Sequence, residues 1–258
     1  MTTVTTITYP SLTTERILSF EFPVPALLSL KAAGEMGASG GPLSEARQSL
    51  LNEVGVARER FVSLHQVHSR SVHVADADTY GADGDGMISS NRNLCLGVTV
   101  ADCMPIFLYD RASGAFGLLH SGWRGTGIAV DAVRQMNNHF DSEPEELTAM
   151  LGPCIGVCCY RVDEERASLF SSRWGKESAV KRDGQWYLDL PRANLGLLRK
   201  LGVSQVIDAH ICTSCHLAFA SYRREGPEQY TGMVALLGRL KIPADALRLS
   251  ASGTEHST

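Results

Sequence analysis

Residues 99–127, TVADCMPIFLYDRASGAFGLLHSGWRGTG, constrain the fold of this chain more than any other stretch. Two apolar runs, MPIFLY and AFGLL, are strand-like, and each has a metal-competent side chain at one end. Cys103 precedes the first run and His120 follows the second. The HSGWRGTG segment is too glycine-rich and too polar to be more core. Upstream, FVSLHQVHS ends a third strand-like run and offers His65 and His68. One thiolate and two imidazoles brought together make a three-ligand zinc site with an open fourth position, the catalytic arrangement.

Around this segment the pattern alternates between periods of two and of 3.6 residues. TVTTITYP and RILSFEFPV alternate like the strands of a hairpin. Residues 25–43, rich in Ala, Gly and Ser, read as a loop or a weak helix. SEARQSLLNEVG reads as a helix with Ser44 as N-cap, Leu50, Leu51 and Val54 on its apolar side and Gly55 at its end. Strands are expected at FVSLHQV, SVHVAD, LCLGVTV, PIFLYD and AFGLLH, with GADGDGMIS as a turn-rich stretch. After Thr126, Ile128, Val130, Ala132, Val133 and Met136 recur at helical spacing. That helix would begin beside His120 and Arg124, where its first N–H groups could receive an anion. LTAMLGP, QWYLDL and VIDAHIC read as strands, the last ending at Cys212; VDEERASLFSSRWG and PRANLGLLRKLG read as helices. The tail after Leu249 is polar and expected to fray. With no linker-like run, the alternation predicts one α/β (α+β) domain over 1–258, with mixed sheets flanked by helices.

Composition removes several function classes. A net charge of −4 is wrong for a protein whose main partner is nucleic acid, which needs a basic face. No apolar run reaches the roughly 18 residues of a membrane helix, and the first 20 residues lack the pattern of a secretory signal. A cytoplasmic protein is expected. There, seven cysteines at 95, 103, 154, 158, 159, 212 and 215 read as buried thiols, ligands or nucleophiles rather than a disulfide framework.

Each candidate has an ordinary alternative. A strand cysteine such as Cys103 usually packs as a small hydrophobe. His120 is harder to explain as core, because it faces SGWRG, whose glycines let backbone approach a ligand. His65 and His68 are three apart, so on a straight strand they face opposite ways and only one joins the site. Cys154, Cys158 and Cys159, taken with Cys212 and Cys215, offer a competing closed zinc site of four thiolates. Arg223 and Arg224 are solvated or bind an anion. The His-x-His pairs and histidine-flanked cysteine of multicopper oxidases are missing, as is the deaminase signature with Pro-Cys-x-x-Cys.

Taken in order, HQVHS, GDGMIS, TVADCMPIFLYD, GLLHSGWRGTG, GPCIGVCCYRV and CTSCHLAFASYRREG resemble the blocks of the YfiH-like laccase-domain family. The resemblance covers about residues 60–237. Members of that family were once labelled multicopper polyphenol oxidases and are now described as zinc-dependent purine nucleoside enzymes. The resemblance implies layered mixed sheets and a zinc ion held by His68, Cys103 and His120. It also implies phosphorolysis of adenosine, inosine, guanosine or methylthioadenosine, or adenosine deamination, with phosphate or water as co-substrate. Asp102 would orient a ligand or move a proton, and Arg124 would meet the anion. Copper-dependent phenol oxidation and a metal-free cysteine hydrolase using Cys103 and His120 are the alternatives. The chain departs from the family pattern at three places. LKAAGEMGASGGPLSE lacks the arginine of an Arg-x-Gly-Gly-Val-Ser block, Arg161 replaces a usual glutamate, and Met233 replaces a usual arginine.

Overall fold

The run MPIFLYD is apolar at almost every position because its strand is covered on both faces. The computed structural model of the chain describes residues 2–6, 15–37 and 40–249. In it, Met104, Ile106 and Leu108 face a layer of helices, whereas Phe107 faces a second sheet. A one-sided strand would have alternated.

The first half of the chain forms β1 (Thr3–Thr6), β2 (Ile17–Phe20), β3 (Ala26–Ser29), α1 (Glu45–Glu53), β4 (Phe61–Ser63), β5 (Val72–Val74), β6 (Gly86–Ser89), β7 (Cys95–Val100), β8 (Met104–Asp110) and β9 (Phe116–Ser121). The second half forms α2 (Ile128–Phe140), β10 (Leu147–Leu151), β11 (Arg161–Val162), α3 (Glu164–Trp174), β12 (Ala179–Arg182), β13 (Gln185–Leu188), α4 (Leu190–Leu201), β14 (Gln205–Asp208), α5 (Tyr222–Glu225), β15 (Met233–Gly238) and β16 (Leu247–Leu249).

One mixed sheet runs β1-β14-β10-β8-β9-β6-β5, a second runs β16-β2-β3-β15-β7-β4, and β11-β13-β12 form a small third. The two large sheets share a core in which Phe107, Leu118 and Met150 meet Leu28, Val98 and Ala235. Helices α2, α3 and α4 cover the other face of the first sheet, through residues such as Ala132, Phe170 and Leu198. Helix α1 covers the other face of the second through Leu50, with the neighbouring Val54. The expected α/β class with mixed sheets is the one found. Among the described residues no helix is long and apolar enough to cross a membrane.

Several local expectations need correction. β1 and β2 are not a hairpin: β1 is an edge strand parallel to β14, whereas β2 pairs with β3 in the other sheet. The expected loop at 25–43 contains β3, because Ala-Leu-Leu-Ser is a short apolar run with no period to distinguish strand from helix. The GADGDGMIS stretch contains β6. Gly86 there is a packing glycine, since a Cβ would lie 2.9 Å from both Leu119 and Val72. β14 ends at Asp208, short of Cys212. In α2, Val130, expected on the apolar face, is only half-buried, and Ala129 is buried instead. The Ser44 cap is present, its side chain accepting from Arg47 N, and Leu50, Leu51 and Val54 are buried. The polar tail from residue 250 lies outside the described residues.

Candidate metal centre

The site forms where the chain passes from one large sheet to the other. β7 lies in the second sheet and β8 in the first, so residues 101–103 must turn a corner. Asp102 makes it with φ at 79°, a left-handed conformation uncommon outside glycine. Both of its carboxylate oxygens are occupied: Oδ1 accepts from Thr213 Oγ1 at 2.6 Å, and Oδ2 from Ser221 Oγ at 3.0 Å and Arg223 N at 2.6 Å. The next residue is Cys103. β8 and β9 are antiparallel, with Met104 opposite Ser121 and Pro105 opposite His120. Cys103 and His120 therefore arrive at the same end of the same pair of strands.

His68 comes from a bend rather than a strand. β4 stops at Ser63, and His68 has a left-handed φ of 59°. Gln66 extends the edge of β7 with its side chain, donating to Thr99 O at 2.9 Å and accepting from Thr99 N at 2.7 Å. His65 points elsewhere, its Nδ1 2.8 Å from Asp83 at the surface. The ligand atoms of His68, Cys103 and His120 lie within 4.8 Å of one another, and the two imidazole rings stand nearly perpendicular, 4.9 Å apart. His120 is buried, Cys103 half-buried and His68 exposed, so the group opens toward solvent on one side.

Sequence reasoning missed Asp85. This buried carboxylate accepts from His120 Nδ1 at 2.9 Å and from the backbone N–H groups of His68, at 3.1 Å, and Ser69, at 2.6 Å. It thus fixes one ligand's ring and another's backbone, leaving His120 Nε2 as the free donor atom. Burial disfavours its charge, but the bonds from His120 and Ser69 outweigh that and hold the carboxyl below its ordinary range. The signal was present in GDGM, whose aspartate was given no role.

The electrostatics suit a cation. Burial pushes the Cys103 thiol up, yet the charges and hydrogen bonds of His120 and His68 bring it down to about 6. Burial lowers the basicity of His120, while the Cys103 charge and the bond to Asp85 raise its pKa to about 9. Each shift favours the charged form of its group, a thiolate beside an imidazolium. Gly122 completes the cradle, since a Cβ there would sit 2.7 Å from Cys103 Sγ. A thiolate and two imidazoles in this arrangement fit a single divalent ion.

Arg124 is exposed, its guanidinium 5.4 Å from the Trp123 ring, in the loop that leads to α2. No side chain caps that helix, and Gly127 enters it with φ at 97°. Arg161 is exposed on β11, whereas Met233 is buried and its Sδ accepts from Ala220 N.

A family model described as multi-copper polyphenol oxidoreductase laccase matches residues 28–240. A Deinococcus radiodurans protein named purine nucleoside phosphorylase is 35% identical over 202 residues, covering 76% of this chain and 77% of its own. The Geobacillus stearothermophilus protein named purine nucleoside phosphorylase YlmD is 32% identical over 213 residues, covering 75% of this chain and 77% of its own. The crystal structure of YlmD from that organism has a TM-score of 0.75 at 28% identity, covering 84% of this chain and 92% of that one.

Proposed function

This chain belongs to the multi-copper polyphenol oxidoreductase laccase family, and on that premise we propose that it is a zinc-dependent purine nucleoside phosphorylase. The observation that carries this reading is the convergence of His68, Cys103 and His120 at an open corner, with Asp85 holding two of them. The relatives' names supply the substrate class.

Zinc held by these three donors would keep an open position and act as a Lewis acid toward an oxygen of phosphate or water. The chain's own residues do the rest. Asp85 keeps the His120 proton on Nδ1, so Nε2 stays a donor throughout turnover. Asp102 fixes the corner that presents Cys103, its carboxylate engaged by three hydrogen bonds. Arg124 meets the phosphate, whose attack at C1′ breaks the glycosidic bond and yields free base and ribose 1-phosphate.

The assay is adenosine with and without phosphate, using protein of counted metal content. Adenine released only with phosphate supports the reading. Ammonia released without phosphate makes the chain a deaminase instead. Two imidazoles and one thiolate are also a copper donor set, in keeping with the family's description. Bound copper with a visible charge-transfer band and phenol turnover would replace zinc. Turnover by metal-free protein that alkylation of Cys103 abolishes would point to the cysteine hydrolase.

A further inference from the structure

Four of the six remaining cysteines converge on a second place, remote in sequence from His68, Cys103 and His120. β10 and β14 are parallel neighbours, with Leu151 opposite Asp208. Beyond their ends the register slips by one residue, so that Cys154 and Cys212 pair, with Cys154 N bonded to Ile211 O and Thr213 N to Cys154 O. Each chain then turns tightly. Cys159 N donates to Gly156 O at 3.0 Å, and Cys215 N to Cys212 O at 3.2 Å. The two turns bring their sulfurs together.

The sulfurs of Cys158, Cys159, Cys212 and Cys215 all lie within 4.8 Å of one another. Cys215 Sγ is 3.5 Å from Cys158 Sγ and 3.4 Å from Cys159 Sγ. A tetrahedral zinc ion with bonds of about 2.3 Å sets its sulfurs about 3.8 Å apart, inside that spread. A disulfide needs about 2.05 Å, far shorter than these contacts. Cys154 is not part of the group: it is buried, and its Sγ faces Ile155 O.

Packing does not explain the cluster, because Cys158 and Cys215 are exposed and cover no core. The backbone is shaped around it as well. Gly156 donates its N–H to Cys212 Sγ at 3.2 Å, a bond that stabilises a thiolate. A Cβ on Gly156 would stand 3.2 Å from Cys158 Sγ and 3.1 Å from Cys212 Cβ, so a larger residue would crowd the sulfurs.

We propose that Cys158, Cys159, Cys212 and Cys215 form a second, structural metal site that holds zinc through four thiolates. It is closed, with no ligand position left for substrate, and its role is to staple the two turns together. Both turns grip the Asp102 corner. Thr213, between Cys212 and Cys215, donates to Asp102 Oδ1, and Ile155 N donates to Asp102 O at 2.9 Å. Arg223 bonds Cys159 O at 3.1 Å through its side chain and Asp102 Oδ2 through its backbone N–H. The staple therefore braces the backbone that presents Cys103 without touching the reacting groups.

The test is zinc stoichiometry on the full chain, purified reduced with zinc present, for wild type, Cys103→Ser and Cys215→Ser. The site predicts two equivalents in wild type and one in each variant. The equivalent left in Cys103→Ser, exchanged for cobalt(II), should give the intense near-ultraviolet thiolate bands of a tetrahedral sulfur site. That spectrum needs no change in the cluster, so it stands even if Cys215→Ser fails to fold. A single equivalent in wild type, lost with Cys103→Ser, would overturn the proposal. So would mass spectra of the reduced preparation showing Cys215 in a disulfide.

Discussion

The two sulfur clusters of this chain arise from the same topological device and differ in their donors. In each, chain ends side by side in the first sheet deliver their side chains to one point: β8 and β9 for Cys103 and His120, β10 and β14 for the later cysteines. The first cluster mixes sulfur with nitrogen, leaves His68 exposed and packs its sulfur against the Gly122 backbone. The second uses sulfur alone and takes its donors from two turns. A site of three donors has room for a reactant, whereas a site of four is full. Residues that are nearly identical as isolated cysteines thus diverge through what their neighbours leave open.

Substitutions can separate the two, beginning with the largest effect. Cys103→Ser should reduce nucleoside turnover to background while leaving the four-thiolate metal in place. Cys215→Ser should lose the other metal and lower the melting temperature, yet keep measurable turnover. Equal loss of activity in both would merge the two roles. Next, Asp85→Asn should weaken metal binding or activity about 10–100-fold, because the amide no longer fixes His120 as the carboxylate does. Competition with a metal-binding dye measures this, and an unchanged affinity would remove Asp85 from the site.

Gly122→Ala should weaken the first metal by a further, smaller factor, about 10-fold, by pressing a methyl against Cys103 Sγ while the chain stays folded. Circular dichroism beside zinc titration separates crowding from unfolding. Acidity offers a gentler probe. In metal-stripped protein, the alkylation rate of Cys103 should rise with pH through a midpoint near 6, where its thiolate forms. Protons should compete with the metal for Cys103 only below that value, and a midpoint near 9 would refute the account of its environment. The smallest effect belongs to Arg124→Ala, which should raise KM for phosphate several-fold and leave kcat and metal content nearly unchanged.

Much of this was legible in the sequence. The doubly covered strands β8, β9 and β10 announced themselves as long apolar runs, and Ser44 marked a helix start because caps are local chemistry. The chemistry around 99–127 was also visible, since Cys103 and His120 sit where apolar runs stop. β3 and β6 were hidden because each is four residues long and owes its state to partners distant in sequence. The choice between His65 and His68 depended on a bend that no period reveals. Asp85 was missed for a related reason: its partners lie 16 to 35 residues away, and a GDG triplet reads locally as a turn. In the second cluster, the spacing displayed five cysteines, but only the burial of Cys154, with its Sγ facing Ile155 O, separates it from the others.

The central claim is that a metal at His68, Cys103 and His120 drives phosphorolysis, and one comparison tests it directly. Hypoxanthine release from inosine and phosphate should be followed in zinc-loaded protein, in the same protein stripped by a chelator, and after zinc is restored. Turnover that is present, then lost, then recovered is the expected result. Undiminished turnover in the stripped protein, or none in the loaded protein, would contradict it.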